Sequence, residues 1–506
     1  MIQKIIYFTF LVSFTTLGFA SWKEDFQNHK NEKNVEAAFQ VIIKAAKTGE
    51  PEAMQMAGYL YYQGEGVQKN LSESFKWFQK AANKDLDYSM NFLGLLYLNG
   101  EGVKKDIKEA LKWFMKAAEK NNKNAQFKIA KIYYNGESNI PKNNTEAAKY
   151  FKRAADNGHV EGSYHFALMS YQGQGIEKNI KDSFKYFKSC ADAQDPDCLH
   201  AMGILYFKGE GATKDIKKSK EYFEKSVRKG NKESLIALGN LELTQNKNYR
   251  SAQSNFRKFS ENSSADSKKR VEQSLKTYFK LEDEKNFLLF YSVFFLSPQE
   301  TETAAEKCSN INAEDQNGMT ALLIAIELLD FEKARVLVRK GANVNKENKS
   351  GVSAFKLAAV YANGMFLYRF NLQLVELMLQ KGANIKIKDS EGNSILHLID
   401  NETIIKKLVQ MGLDIETKNN NGLTPLEYAY TRYKNSIVSG FFAPSIKSLI
   451  KSGAKHKLIC LKESGSTEAG DYTSYFFHNR DEAFPEINDR SIKYEAVSDL
   501  EKCMED

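Results

Sequence analysis

The chain is poor in several residue types that would define a class. Seven prolines among 506 residues exclude collagen, Pro-rich linkers and mucin-like stalks. Five cysteines are too few for a disulfide-built scaffold. The formal net charge is only +8, and lysines alternate with acids instead of forming a basic stripe, which argues against a nucleic-acid partner. The seven histidines are scattered; His159 and His165 are six apart, which does not place them on one helical face, so no metal site is expected. There is no His-Glu-x-x-His, no paired Cys-x-x-Cys and no Gly-x-Ser-x-Gly elbow, so neither a catalytic residue nor a cofactor is expected. Beyond residue 20 no apolar run reaches membrane length; Phe287 to Leu296, ten residues, reads as a buried helix. What remains is ordinary globular chemistry, 27% charged and 42% hydrophobic, enough chain for about three domains at roughly 150 residues each.

The N-terminus carries an address. Lys4 precedes fifteen uncharged residues, Ile5 to Phe19, and then Gly18-Phe19-Ala20 and a polar stretch from Ser21. A basic start, a short apolar core and small residues at −3 and −1 predict a secretory signal peptide, residues 1–20, cut after Ala20. The alternative is an uncleaved anchor, but the run falls short of the ~20 residues that span a bilayer. Ser21, not cysteine, follows the cut, so no lipid anchor is expected. The expectation is an exported protein without stable membrane insertion, periplasmic or else extracellular.

A string of glycines then sets the architecture. Gly64-Glu65-Gly66-Val67 recurs as Gly100-Glu101-Gly102-Val103, Gly173-Gln174-Gly175-Ile176 and Gly209-Glu210-Gly211-Ala212, with a degenerate Gly136-Glu137-Ser138 between; the spacings are 36, 36, 37 and 36. An aromatic pair follows each loop: Trp77-Phe78, Trp113-Phe114, Tyr150-Phe151, Tyr186-Phe187 and Tyr222-Phe223. Gly58, Gly94, Ala130, Ala167 and Gly203 precede the loops in the same period. Each repeat reads as two short helices, with the small residue where the neighbour crosses and the Gly-x-Gly loop supplying left-handed backbone. Asn70, Asp106, Asn143, Asn179 and Asp215, seven residues before each aromatic pair, suit the N-cap of the second helix. One such repeat cannot bury its own apolar face, so the repeats are expected to stack into an α-solenoid.

These residues resemble the Sel-one-like repeat (SLR), a relative of the tetratricopeptide repeat, in five copies over about 50–230, with a half copy ahead (Phe39, Lys44-Ala45-Ala46) and a degraded one behind (Gly239, Phe256). Further on, Asp315 to Leu322 with Gly341-Ala342-Asn343, Gly351 to Phe355 with Gly382-Ala383-Asn384, Asp389 to Leu396 with Gly412, and Gly422 to Leu426 with Gly453-Ala454 resemble four ankyrin repeats. Their leading glycines are 33, 41 and 30 apart, which implies an insertion near 361–371 and a shortened third repeat. At the family's Thr-Pro-Leu-His histidine only His397 survives; Leu323, Lys356 and Glu427 replace it. The expected fold class is all-α, two tandem α-solenoids with a small tail. The expected boundaries are a cap helix over 21–48, Sel-one-like repeats over 49–260, a helical connector over 261–304, ankyrin repeats over 305–457 and a tail over 458–506, in which Tyr472 to Phe477 could be a strand.

Exported members of the first family use a Cys-x7-Cys disulfide, and Cys190 and Cys198 have that spacing across the turn between two repeats. Antiparallel helices joined there can bring Cβ atoms near 4 Å; two buried free thiols are the alternative. Cys460 with Cys503 is a second candidate pair, leaving Cys308 over. The tetratricopeptide-like phase places Tyr59, Tyr62, Tyr88, Asn91, Leu98, Phe127, Tyr134, Tyr164, Tyr171, His200 and Phe207 on the concave face, where tyrosine suits a protein interface. Packing between adjacent helices is the alternative for each, and Trp77 and Trp113 are assigned to the core. In the ankyrin-like part Asp315, Asn348, Asp389 and Asn419 are expected at exposed hairpin tips used for contacts. The resemblance implies a non-catalytic protein-binding scaffold. Its partner would be another protein: a secreted toxin for an immunity protein, or a host protein for a secreted effector. An envelope hydrolase is the least supported reading.

Overall fold

The computed structural model describes residues 21–454 except 138–139, 262–264, 362–367, 400 and 435–442, together with three strands of the tail. The proposed signal peptide, Ser138, Cys503 and most of the expected insertion near 361–371 lie outside the described residues. The chain divides into two compact units between Ala237 and Leu238.

In the first unit α1 (Ser21–Asn31) and α2 (Val35–Lys47) precede five helix pairs: α3 (Pro51–Gln63) with α4 (Leu71–Ala82), α5 (Asp87–Asn99) with α6 (Ile107–Glu119), α7 (Lys123–Asn135) with α8 (Asn144–Asp156), α9 (Val160–Gln172) with α10 (Ile180–Asp192), and α11 (Pro196–Lys208) with α12 (Ile216–Arg228). The expected caps form. Asn70 accepts the backbone N–H of Glu73 at 3.0 Å, Asp106 that of Glu109 at 3.0 Å and Asp215 that of Lys218 at 2.9 Å, each stabilising its helix by about 1 kcal/mol. Gly64, Gly100, Gly173 and Gly209 end the first helices in left-handed conformation. The second glycine of the loop has a different job. At Gly102, φ is +71° and a Cβ would stand 2.1 Å from the Leu71 carbonyl oxygen, so only glycine lets the loop rest on the start of the preceding repeat's second helix.

Gly58, Gly94 and Gly203 sit under the phenylalanine of their own repeat's second helix: a Cβ on Gly94 would come within 2.7 Å of the Phe114 ring. Phe78, Phe114 and Phe151 are fully buried there and form the spine of the core. Trp77 is buried as expected, whereas Trp113 is only half-buried at the core's edge, with the Lys116 ammonium 4.2 Å from its ring centre. A disulfide joins Cys190 in α10 to Cys198 in α11, with Cα atoms 5.8 Å apart.

α13 (Glu233–Leu241) runs across the division between the compact units. Gly239 there lies under Phe256, as Gly94 lies under Phe114. A π-helical turn, Glu242–Asn246, replaces the absent glycine loop, and Lys247 takes up the left-handed backbone at φ +51°. α14 (Tyr249–Ser260), α15 (Ala265–Phe279), α16 (Glu284–Phe295) and α17 (Pro298–Lys307) follow; α16 buries Phe287, Phe290 and Phe294, the apolar stretch read from the sequence.

Four turn-plus-helix modules come next, with helices α18 (Ala321–Glu327) and α19 (Phe331–Arg339), α20 (Ala354–Tyr361) and α21 (Tyr368–Gln380), α22 (Ile395–Leu398) and α23 (Glu402–Gln410), and α24 (Pro425–Lys434) and α25 (Ala443–Lys451). The tail is a three-stranded antiparallel sheet in the order β2-β1-β3, formed by β1 (Leu458–Thr467), β2 (Gly470–Asn479) and β3 (Lys493–Val497). Tyr472 to Phe477 lie in β2. Cys460 is in β1, opposite Phe477 and Val497, but its side chain, like Cys503, is outside the description.

Candidate functional site

The first helices repeat their side chains in register, so equivalent positions line up as rows. The row in the last turn holds Tyr62, Leu98, Tyr134, Tyr171 and Phe207, all half-buried. The Tyr62 hydroxyl donates to the Glu101 carboxylate of the next repeat's loop at 2.9 Å, and Tyr171 donates to Glu210 at 2.7 Å. Lys208 donates to the Tyr171 oxygen at 2.9 Å. A loop lysine also stands over each aromatic of the row: Lys69 over Tyr62 at 5.5 Å, Lys142 over Tyr134 at 5.4 Å, Lys178 over Tyr171 at 5.5 Å and Lys214 over Phe207 at 5.6 Å. These rings brace the stacking as well as facing outward.

The row about two turns earlier holds Asn91, Phe127, Tyr164 and His200. Asn91 and Phe127, expected on the exposed face, are buried at 6% exposure. For Phe127 the reason is that the imidazole of His159, which caps α9 of the next repeat by accepting the Gly162 N–H, lies flat on its ring with centres 4.3 Å apart. Asn91 keeps a buried Oδ1 with no hydrogen-bond partner. Tyr164 is half-buried, edge-on to Phe187 at 5.9 Å. His200 is half-buried too, and its Nδ1 lies 2.8 Å from the Ser234 hydroxyl.

The sequence reading passed over the row Phe92 and His165, which completes two aromatic patches. Phe92 stacks on Phe78 at 4.3 Å with Tyr62 and Tyr88 beside it at 5.1 and 5.9 Å. Burial, with Tyr59 nearby, pushes the Tyr88 hydroxyl up to about 12. In the second patch His165 stacks on Phe151 at 4.8 Å, with Tyr134 and Tyr164 at 6.0 and 5.5 Å. His159 and His165, which do not share a helical face, thus converge on Phe127, the second at 6.0 Å. Burial first, and neighbouring lysines second, bring both imidazoles down to about 4, so both are neutral at pH 7. The signal that finds this row is the same period of the repeats, read one residue further along the helix.

In the second compact unit, Asp315, Asn348, Asp389 and Asn419 occupy equivalent turns, but they do not project as expected. Each turns its side chain back onto its own loop. Asp315 accepts the N–H groups of Asn317 and Met319 at 2.7 and 2.9 Å, Asn348 those of Ser350 and Val352 at 2.9 and 3.1 Å, Asp389 those of Glu391 and Asn393 at 2.9 and 2.8 Å, and Asn419 those of Asn421 and Leu423, both at 3.0 Å. Asp315 and Asn419 are buried, not exposed, because the loop N–H groups need acceptors that solvent does not reach. Burial holds the Asp315 carboxyl above the usual carboxylate range. Cys308 is a half-buried free thiol. Among the described residues no group of three His, Cys, Asp or Glu could hold a metal ion, and no helix is long and apolar enough to cross a membrane.

Stacked thirteen-residue first helices, capped second helices and left-handed glycine loops define a tetratricopeptide-like helical-repeat protein. More particularly, residues 51–86, 87–122, 123–159, 161–195 and 196–231 match the Sel1 repeat, so the chain carries five Sel1 repeats. Such repeats typically form protein-interaction scaffolds and are generally non-catalytic. Among solved structures, a Sel1 repeat protein from Oxalobacter formigenes is 28% identical, covers 49% of this chain and 99% of its own, and has a TM-score of 0.42. A protective antigen of uropathogenic Escherichia coli strains, displaying an SLR fold, is 19% identical over 82% of this chain and 86% of its own, with a TM-score of 0.49. No curated protein matches the chain.

Proposed function

We propose that the protein is an exported, non-catalytic scaffold that holds another protein against the aromatic face of its Sel1 repeats, and that the four turn-plus-helix modules are ankyrin repeats. The observation that carries the binding role is the pair of aromatic patches around Phe92 and His165, where half-buried tyrosines from successive repeats offer rigid area with polar tips. Export is supported by the signal-like N-terminus and by the Cys190–Cys198 bridge, which persists in oxidising compartments. The ankyrin reading is supported by the identically braced turns at Asp315, Asn348, Asp389 and Asn419. The specific role is immunity: the face covers the active surface of a toxic secreted protein in the periplasm and performs no chemistry.

The test is crosslinking of the chain in its native cells, after fractionation, with partners read by mass spectrometry. One stoichiometric partner in the periplasmic fraction, lost in Tyr88→Lys plus Tyr164→Lys, is the expected result. Tyr62 and Tyr171 stay unaltered because they tie repeats together. A partner retained by that variant places binding elsewhere. Recovery of the chain from the medium instead of the periplasm overturns the immunity role in favour of a secreted effector.

A further inference from the structure

Among the five repeats, one junction is built unlike the other three and unlike the junction with the cap helix α2. Where the second helix of one repeat meets the first helix of the next, two positions 22 residues apart fill the outer seam. Phe39 meets Tyr61 edge-to-face at 5.3 Å, Phe75 meets Tyr97 at 5.3 Å and Phe184 meets Tyr206 at 5.7 Å; Leu111 and Tyr133 occupy the same places in the junction of α6 and α7. At the junction of α8 and α9 the pair is Ala148 and Ser170. The equivalence is fixed by the backbone: the Asn179 N–H donates to the Ser170 carbonyl at 2.8 Å, as the Asn70 N–H donates to that of Tyr61 at 2.9 Å. A third position changes with them. The second helices otherwise begin on Val35, Leu71, Ile107, Ile180 and Ile216, but α8 begins on Asn144, whose Oδ1 is buried without a partner.

The loss of both rings leaves a cavity of about 500 Å³, walled by Ala148, Phe166 and Ile176. Ser170 lies at its floor, fully buried, and its hydroxyl has no hydrogen-bond partner. A hollow of this size with an apolar wall, a polar rim and one buried orienting hydroxyl has the make-up of a ligand site. Its rim mixes Lys149, Lys152 and Lys178 with Glu177 and Asp182, so it selects no strong charge. Ser170 is about 100° around the helix from Tyr171, so the cavity lies beside the row that carries Tyr171, with Lys178 between them.

We propose that this cavity receives a tyrosine side chain of a partner protein. The inserted ring replaces the one that the sister junctions supply from within the chain, and its hydroxyl satisfies Ser170. This deepens the scaffold reading and rests on it for the partner's being a protein.

The experiment titrates the full chain with N-acetyl-L-tyrosinamide and follows binding by ligand-observed NMR. N-acetyl-L-leucinamide and free tyrosine serve as controls. Saturable binding of the tyrosine probe, weaker by about tenfold or more for the leucine probe, is expected. Ala148→Phe plus Ser170→Tyr rebuilds the sister seam and should abolish binding. Thr145→Trp, at an exposed rim position, should do the same without touching the core. Tyr88→Lys plus Tyr164→Lys should leave probe binding unchanged, which separates this site from the aromatic face. Absence of saturable binding, leucine binding as tightly as tyrosine, or binding retained by Thr145→Trp overturns the proposal. Free tyrosine binding as tightly as the blocked amide overturns the protein source of the ring.

Discussion

The two compact units solve chain reversal differently, and the difference shows what a strict period is for. In the Sel1 repeats the reversing glycine loop leans on the preceding repeat, so its length is locked to helices of equal length and the spacing holds at 36 or 37. In the second unit each turn is braced by its own Asp or Asn, and the glycines there drift to 33, 41 and 30 apart. The braced turns nevertheless keep one length, five residues from Asp315, Asn348, Asp389 and Asn419 to Thr320, Ser353, Ser394 and Thr424, so the drift arises in the chain between them, as the expected insertion near 361–371 implies.

Two glycines with the same φ of +71° give the sharpest break of that comparison. Gly102→Ala should cost about 3 kcal/mol or more, since its methyl would meet the Leu71 carbonyl at 2.1 Å. Gly351→Ala, with nothing within 4 Å, should cost only the left-handed penalty of about 1–2 kcal/mol. Urea titration followed by hydrogen exchange in each unit reads both; equal costs would mean that the loops are braced alike. Next in size, reducing the Cys190–Cys198 bridge should lower the first unit's stability by about 2–3 kcal/mol and leave exchange in the four turn modules unchanged.

Acid should also act on the first unit. Unfolded histidines take up protons near 6.5 while His159 and His165 do so only near 4, so the unfolded state binds more protons between these values. Stability should therefore fall by about 2 kcal/mol as pH drops through that window, after allowance for partial exposure. His159→Asn, which can keep the helix cap, should flatten the slope in a series of melting curves; an unchanged slope would remove His159 from the account. The smallest effect concerns a brace. Asp315→Ala should cost about 1–2 kcal/mol through its two unsatisfied N–H groups, and Asp315→Asn almost nothing, because the sister turns at Asn348 and Asn419 already use the amide.

Backbone requirements were the legible part of the sequence. The glycine loops and the caps from Asn70 to Asp215 each answer to one local geometry, so residue type and spacing sufficed, whereas the Cys190–Cys198 bridge also needed the family resemblance to choose it over two free thiols. Exposure was harder to read. Phe127 fits the outward phase of α7, yet it is covered by a histidine 32 residues later, whose imidazole reaches it only because it caps the next repeat. Asp315 and Asn419 fit a surface turn, but the same short polar side chains serve a loop's own N–H groups better than solvent does. The cavity at Ala148 and Ser170 was written in the sequence as well. It appears only when the departures from a repeating column are followed as closely as the column itself.

The disulfide has a consequence for how such a chain can evolve. Its halves belong to different repeats, Cys190 to residues 161–195 and Cys198 to 196–231. Deleting either repeat alone would remove one thiol and leave the other unmatched. Among the described residues no other pair of repeats is joined by a disulfide, so this constraint is particular to the fourth and fifth.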